Sequence, residues 1–335
     1  MTDTRRWRRW GNSITFYSAV EWAGQAGSVS NRSSACSRSR LARMQMTAPL
    51  LVTDGLTKDY GRFRALDALT FDVRPGEIVG LLGPNGSGKS TALRLFLGFL
   101  RATAGRCAVA GFDSWSKSVE VRRRVAYLPS ELRLYETMTG RRLVRFLADL
   151  RGERHDDEAD RLAKQLDIPL DKPLTQLSSG MKRKVALITA LVPNLPLIVL
   201  DEPTSALDPT MRSQLLDQLR IARDRGQAVL FSSHVLAEAD QVCDRVAILR
   251  RGKLVHLQEM AALRQGRFVR ARFETPPATD PLGAPLSIVN GSVELEYRGP
   301  LPPLLAWLHQ HSPTDVRIEP LGLGPLYARI HGGGE

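Results

Sequence analysis

Short apolar runs alternate along the chain with longer amphipathic stretches. Runs of four to six mostly apolar residues are typical of buried strands, and they occur at residues 77–82, 125–128, 197–200, 228–231 and 246–249. Apolar positions at 140–150 and 156–166 recur with helical spacing, which predicts amphipathic helices. Residues 253–256 follow an Arg-Gly turn and predict a hairpin with the last run. The alternation of strands and helices predicts an α/β fold.

The two ends of the chain differ from this middle part. Residues 1–46 are rich in Arg, Ser and Gly without sustained periodicity, so we expect a disordered or spurious extension. A transit peptide, or translation from Met44 or Met46, would also account for it. Residues 267–335 predict a small α+β domain. Its expected elements are strands at 268–273, 316–318 and 327–330, a helix at 302–311 and a hairpin centred on Asn290-Gly291.

Composition narrows the class of protein only a little. The chain has 335 residues, 43% of them apolar, and a formal net charge of +12. Residues 1–46 hold eight Arg and two acidic residues and thus half of that net charge, so the rest of the chain is only mildly basic. This balance does not argue strongly for nucleic-acid binding and would also suit a surface beside anionic lipid. No run of about 18 apolar residues is present to span a bilayer.

The three cysteines, Cys36, Cys107 and Cys243, have neither a metal-binding spacing nor an obvious pairing. We interpret them as free thiols of a reducing compartment.

A glycine-rich motif follows the first buried run. It fits the pattern G-x-x-x-x-G-K-[ST] of a phosphate-binding loop, with a predicted strand before it and a predicted helix after it. The expected nucleotide-binding residues are Gly83, Pro84, Asn85, Gly86, Ser87, Gly88, Lys89, Ser90 and Thr91. Glycines let backbone N–H groups surround phosphate, and the helix N-terminus adds positive potential. Lys89 is predicted to reach the β- and γ-phosphates and Ser90 to bind Mg²⁺; a chance glycine-rich turn is the alternative.

Two carboxylates end the apolar run at 197–200. Ligands of open α/β sheets bind at the carboxyl ends of parallel strands, which is where Asp201 and Glu202 are expected. Asp201 is predicted to serve Mg²⁺ and Glu202 to polarise the attacking water; a carboxylate that caps a loop is the alternative. His234 follows the run at 228–231 and is a candidate γ-phosphate contact, or else a structural histidine.

Three further segments carry candidate site residues, but their patterns are less specific. Tyr60 is an aromatic residue that would stack on an adenine or only pack. Ser178, Ser179 and Gly180 open a long helix and would either bind an anion or only cap the helix. Asp208 lies near the start of the next helix.

Together these motifs resemble the ATP-binding subunit of an ABC transporter over residues 50–260. They occur in the order and spacing of that family. Tyr60 is similar to the adenine-stacking residue, 83–91 to the Walker A loop, 177–181 to the signature motif, 197–202 to the Walker B strand, 205–208 to the D-loop and His234 to the switch histidine.

This chain departs from the family pattern at two motifs. In the signature motif, Ser179 and Met181 stand where Gly and Gln are usual. The loop that usually supplies a metal-binding Gln carries Ser130 followed by Glu131. Ser130 is too short to reach metal and water in the same way, although Glu131 would partly substitute.

The resemblance implies a mechanism. Two nucleotide-binding domains would form a homodimer that closes head to tail over two ATP molecules. The turn at 178–180 of one subunit would meet the γ-phosphate held by Lys89 of the other. Catalysis would depend on Glu202, His234 and Lys89, with ATP and Mg²⁺ as cofactors.

The resemblance also implies a partner and a location. A separate transmembrane permease would dock near residues 130–150. That docking would place the chain in the cytoplasm, on the inner face of the cell membrane. The C-terminal segment and the residues that begin at Tyr127 are similar to the bacterial drug- and antibiotic-exporter branch.

The expected organisation is a P-loop NTPase core of ABC type at 49–260, with a helical subdomain at about 120–190 and a small accessory α+β domain at 267–335. The alternative function is a soluble ABC-type ATPase that acts on nucleic acid or ribosomes. A single phosphate-loop motif, no coiled-coil heptads and the modest charge after residue 46 favour the transporter. No nucleic-acid partner is therefore expected.

Overall fold

The computed structural model describes residues 48–205, 207–282, 286–289 and 292–332. The extension expected at 1–46 lies outside these residues. The described strands are β1 (Leu51–Tyr60), β2 (Phe63–Val73), β3 (Ile78–Leu82), β4 (Ala104–Val109), β5 (Phe112–Asp113), β6 (Val125–Leu128), β7 (Leu197–Asp201), β8 (Ala228–Ser233), β9 (Arg245–Arg250), β10 (Lys253–Glu259), β11 (Arg267–Arg272), β12 (Ser287–Val289), β13 (Ser292–Tyr297) and β14 (Asp315–Pro320). The described helices are α1 (Lys89–Phe96), α2 (Ser118–Arg122), α3 (Gly140–Asp149), α4 (Asp156–Gln165), α5 (Ser179–Leu191), α6 (Pro209–Asp224), α7 (Leu236–Val242), α8 (Met260–Gln265), α9 (Leu301–His311) and α10 (Leu323–Gly332). Across these residues, no helix combines the length and the apolar character needed to cross a lipid bilayer.

A six-stranded sheet lies at the centre of residues 49–260, with strand order β10-β9-β3-β8-β7-β6. The five strands from β9 to β6 run parallel, and β10 pairs antiparallel with β9, as the hairpin prediction requires. Each of the five apolar runs contributes one of the parallel strands. The α/β prediction is confirmed. Because the carboxyl ends of parallel strands meet at one edge, the loops after β3, β6, β7 and β8 converge there.

Side chains alternate along the central strands and so feed two hydrophobic cores. Val79 and Leu81 of β3 pack with α1 and with an antiparallel sheet of order β2-β1-β4-β5. Ile78 and Leu82 point the other way, into a core that helices α3 to α7 also build. Both faces of the sheet are therefore covered, which explains why its strands are continuous apolar runs.

The charged stretch between β6 and β7 folds as helices that extend the second core. Thr139 caps α3 by accepting the Arg142 N–H at 3.2 Å. The guanidinium of Arg141 joins α3 to neighbouring segments through Asp160 and Asp171, both at 2.6 Å. The apolar faces of α3, α4 and α5 are buried.

Residues 267–320 form a third core of their own. An antiparallel sheet of order β12-β13-β11-β14 packs against α9, with Val269, Tyr297 and Leu304 fully or almost fully buried between them. Strands β12 and β13 pair as a hairpin in which Val289 opposes Ser292, and the turn residues expected between them lie outside the described residues.

The strand predicted at 327–330 is wrong, because these residues belong to helix α10. Leu323, Leu326, Tyr327 and Ile330 all pack against the second core, and their spacing of three and four residues is helical. A four-residue window does not distinguish that spacing from a strand. The carboxylate of Asp240 accepts the Leu323 N–H at 2.9 Å and so fixes the start of the helix.

Cys107 and Cys243 are free and buried, and Cys36 lies outside the described residues. Burial raises the pKa of the Cys107 thiol to about 12 and that of Cys243 well above its usual value. Both described thiols are therefore protonated at neutral pH.

Candidate active site

The phosphate loop, residues 83–91, joins β3 to α1. Gly83 and Gly88 have φ angles of 156° and 105°, a region that favours glycine. A Cβ atom on Gly83 would lie 2.4 Å from the Leu249 carbonyl oxygen, and one on Gly88 would lie 2.7 Å from that of Ala65. A larger residue at either position would therefore push the loop away from β2 and β9.

Lys89 lies near the end of this loop, begins α1 and is almost fully buried. Its Nζ donates hydrogen bonds to the carbonyl oxygens of Gly83 at 2.8 Å and Pro84 at 3.1 Å. Burial lowers the pKa of the Lys89 ammonium, and the nearby Glu202 and Asp201 carboxylates oppose that shift. The loop thus holds a cation with neutral oxygen acceptors that a phosphate can replace.

Ser87 supplies a second polar group inside the loop. Its hydroxyl is buried and has no hydrogen-bond partner within the described part of the chain. Leaving a buried hydroxyl without a partner costs about 1–3 kcal/mol. A phosphate oxygen is a suitable acceptor, so the loop fits a phosphate chain.

Asp201 lies at the end of β7 and opposes Ser232 on β8. The Ser232 hydroxyl donates to Asp201 Oδ1 at 2.6 Å and accepts the Glu202 N–H at 2.9 Å. One serine therefore fixes both the first carboxylate and the backbone of the second acidic residue.

Glu202 adopts a φ of 48°, which is uncommon for a residue other than glycine. Its Oε1 lies 3.4 Å from His234 Nδ1 and 4.0 Å from Lys89 Nζ. The structure thus brings together Lys89, Glu202 and His234. The partly exposed Glu202 carboxylate is accessible to water and has a histidine beside it, as a general base requires.

The predicted Mg²⁺ ligands are a hydroxyl and a carboxylate. Ser90 lies in the first turn of α1, and Asp201 ends β7. No group of three or more His, Cys, Asp or Glu residues that could hold a metal occurs among the described residues. Mg²⁺ commonly uses one or two protein ligands together with water and phosphate oxygens, so these two residues suit an ion that is bound with the nucleotide.

Ser130 and Glu131 are both exposed on the loop after β6. Neither side chain forms a hydrogen bond or ion pair with Asp201 or Ser90 in the described structure. The Ser130 carbonyl oxygen accepts a hydrogen bond from Arg183 at 2.8 Å. At position 130 the described hydrogen bond is thus made by backbone, and a metal ligand here remains a prediction.

Tyr60 is the last residue of β1. It pairs with Phe63 across the hairpin and is about half exposed, with Lys58 Nζ 5.2 Å from its ring centroid. The same hairpin carries Leu66, which packs beside Gly88. Tyr60 therefore lies on the hairpin that flanks the phosphate loop.

Two groups of predicted site residues, the turn at 178–180 and Asp208, lie at the N-termini of helices and have exposed side chains. Ser178 caps α5 by accepting the Met181 N–H at 3.3 Å, and Ser178 and Ser179 face solvent. Asp208 caps α6 by accepting the Met211 N–H at 2.9 Å. Across the described chain, no hydrogen bond or ion pair joins either cap to the phosphate loop. Ala206, within the expected D-loop, lies outside the described residues.

Comparison with known proteins identifies the family. The family model described as "ABC transporter" matches residues 66–205. The chain is also 35% identical over 221 residues to YxlF of Bacillus subtilis, an uncharacterized ABC transporter ATP-binding protein, in a match that covers 64% of this chain and 73% of YxlF. The chain belongs to the ABC transporter ATP-binding proteins. As a member of that family, it is an ATPase.

Two further comparisons describe relatives of this ABC ATPase. It is 36% identical over 208 residues to the daunorubicin/doxorubicin resistance ATP-binding protein DrrA of Streptomyces peucetius, covering 61% of this chain and 63% of DrrA. A solved structure described as an ATP-binding subunit of an ABC transporter has a TM-score of 0.59 and 31% identity, and the match covers 64% of this chain and 92% of that one.

Sequence reasoning missed three residues that order the site of this ABC ATPase. They are Ser232, which fixes Asp201; Glu238, whose Oε2 accepts from Thr204 and Ser233; and Arg183, which binds four backbone carbonyls. Arg183 stands in a basic run that suggests a solvated surface. Arg183 nevertheless lies four and seven residues before the buried Leu187 and Ala190, so helical spacing places it on the buried face of α5. This spacing is the feature of the sequence that could have identified Arg183.

Proposed function

We propose that this ABC ATPase is the energy subunit of an export pump, in which two copies close head to tail over two ATP molecules and drive a separate membrane permease. The arrangement of the active site carries this proposal. Lys89, Glu202 and His234 meet at one sheet edge. The serines of the capped turn at 178–180 are exposed, and among the described residues no hydrogen bond or ion pair joins this turn to the phosphate loop. An exposed helix N-terminus is a suitable partner for phosphate bound to another subunit.

Within one site, the residues of this chain have separate roles. Lys89 exchanges its carbonyl acceptors for phosphate oxygens and so neutralises charge that develops during transfer. Glu202 accepts a proton from the attacking water, and His234 orients its carboxylate. Ser90 and Asp201 would hold Mg²⁺, which neutralises phosphate charge when bound. Tyr60 would stack on the adenine.

The partner subunit would complete each site. Ser178 accepts the Met181 N–H with its hydroxyl and the Lys182 N–H with its carbonyl oxygen. The N–H groups of Ser179 and Gly180 have no acceptor within the helix and would be available to a partner's phosphate. Gly180 keeps that turn free of a bulky side chain. Asp208 at the neighbouring cap would contribute to the same interface.

A surface on the helical segment suits a permease. Tyr135 and Phe146 are exposed and contact each other edge to face at 6.0 Å, and the Leu150 side chain is also exposed. Apolar side chains of this kind are typical of docking sites. The name of DrrA, a drug-resistance protein, supports export as the direction. Docking would place this chain at the inner face of the membrane.

The permease prediction is tested by tagging the full chain and purifying it from gently solubilised membranes. We expect a multi-helix membrane protein in matching amount. The Leu150→Lys variant should reduce that recovery about tenfold, which corresponds to about 1.4 kcal/mol. Leu282→Lys is the matched control, because Leu150 and Leu282 are 70% and 65% exposed on different segments. Recovery only with nucleic acid or ribosomal proteins would instead support the soluble ATPase.

Deletion of residues 1–45 is expected to leave ATP hydrolysis within about twofold of the full chain, because every residue of the proposed site lies after position 59. Steady-state turnover of the two proteins, normalised to nucleotide-binding sites, checks this expectation. A loss of tenfold or more would assign the extension a part in the ATPase cycle.

A further inference from the structure

We infer that Arg183 is a positioning residue for Glu202, holding the backbone of that residue from the helix that begins at the signature turn. The inference rests on the proposed role of Glu202 as the base for ATP hydrolysis. A residue of the basic run that follows the signature turn would thus act within the same subunit.

The contacts of Arg183 are all to backbone oxygens. Its Nη1 donates to the carbonyl oxygens of Pro129 at 3.0 Å and Ser130 at 2.8 Å. Its Nη2 donates to those of Asp201 at 3.2 Å and Glu202 at 2.6 Å. The side chain is only 5% exposed. A buried charge needs several acceptors. The two terminal nitrogens of the guanidinium have four, while Nε has no hydrogen-bond partner among the described residues. Through those terminal nitrogens Arg183 joins two loops that are distant in sequence.

The electrostatic setting agrees with this geometry. Burial lowers the pKa of the Arg183 guanidinium, while the Asp201 and Glu202 carboxylates raise it. The planar guanidinium also remains charged at any physiological pH and presents donors in a fixed fork. A flexible ammonium on lysine cannot reproduce that fork.

Glu202 is held on both sides by this arrangement. Its N–H is bound by the Ser232 hydroxyl and its carbonyl by Arg183, so neither peptide plane beside it can rotate freely. Its left-handed φ of 48° requires such restraint, because a residue with a side chain keeps this conformation only when its surroundings hold it there. The restrained backbone directs the carboxylate toward His234 and Lys89.

Arg183 also connects this backbone to two segments that the proposed cycle involves. It lies on α5, whose first residues form the signature turn, and it binds the loop at Ser130, where the family usually has Gln. In this protein the side chain at position 130 is the short hydroxymethyl group of serine. The connection of that loop to the catalytic strand therefore runs through its carbonyl oxygens and the Arg183 guanidinium.

The test compares the full-length Arg183→Met, Arg183→Lys and Lys184→Met variants. Arg183→Met should lower kcat for ATP hydrolysis about 10- to 100-fold, the loss expected when a catalytic group shifts by about 1 Å. Its Kd for a fluorescent ATP analogue should stay within about threefold, because the phosphate loop is untouched. Arg183→Lys should recover part of the turnover. Lys184→Met is the matched control, since Lys184 is the adjacent cation and donates only to the Leu166 carbonyl.

Three results would overturn the inference. Wild-type turnover of Arg183→Met would show that Glu202 needs no such restraint. A parallel loss of nucleotide affinity and turnover would show that Arg183 only supports the fold. An equal loss in Lys184→Met would show that the effect does not depend on the contacts between Arg183 and the Glu202 backbone. If Arg183→Met does not fold, the same comparison of kcat and Kd in Arg183→Lys decides.

The failure of this inference differs from that of the proposed function. If Glu202→Gln hydrolyses ATP like the wild type, the base assignment fails whatever Arg183 does. If Glu202→Gln is inactive and Arg183→Met is fully active, only the positioning role fails.

Discussion

Replacing Glu202 by Gln is expected to lower kcat for ATP hydrolysis about 10²- to 10⁴-fold, the usual contribution of a positioned general base. The amide keeps the shape of the side chain but does not accept a proton. ATP should still bind, because Lys89 and the phosphate loop are unchanged. Single-turnover hydrolysis and the Kd for ATP, measured on the same preparation, separate the two effects.

The same variant should accumulate as an ATP-bound dimer, since hydrolysis is the proposed step that reopens the pair. Size-exclusion chromatography with and without ATP reports this change. Glu274→Gln is the control, because Glu274 is an exposed acid outside the site. A Glu202→Gln protein that turns over ATP at the wild-type rate would exclude Glu202 as the base.

Much of this fold was predictable because its strongest sequence signals are local. The runs at 77–82 and 197–200 are buried on both faces of a parallel sheet, so they appear as continuous apolar segments. A parallel sheet also places the ends of its strands together. That rule predicted that Asp201, Glu202 and His234 would lie near the phosphate loop without knowledge of any contact.

The residues that sequence reasoning missed act through tertiary contacts. Arg183 is charged and has charged neighbours, yet its two terminal nitrogens donate to backbone oxygens of two distant loops. Ser232 is one of two adjacent serines, and only the register between β7 and β8 shows which one faces Asp201. The left-handed backbone of Glu202 follows from these contacts and has no glycine to signal it.

The head-to-tail arrangement predicts that two inactive variants restore one another. Lys89→Ala removes the buried cation of the phosphate loop, and loss of such a charge-stabilising donor should lower hydrolysis about 10²- to 10³-fold. Gly180→Arg places a long side chain on the exposed signature turn and should block the approach of the partner subunit. Each variant alone has two damaged sites per dimer.

In a mixed dimer the two lesions fall at the same site, because each site combines Lys89 of one chain with Gly180 of the other. The second site is then intact. Since an equimolar mixture pairs at random, about half of the dimers are mixed, and single-turnover activity should reach about a quarter of the wild-type value. Single-turnover conditions let one intact site be observed. If mixed dimers form but remain as inactive as the separate variants, the sites do not combine Lys89 of one chain with the turn at 178–180 of the other, and the head-to-tail arrangement is wrong.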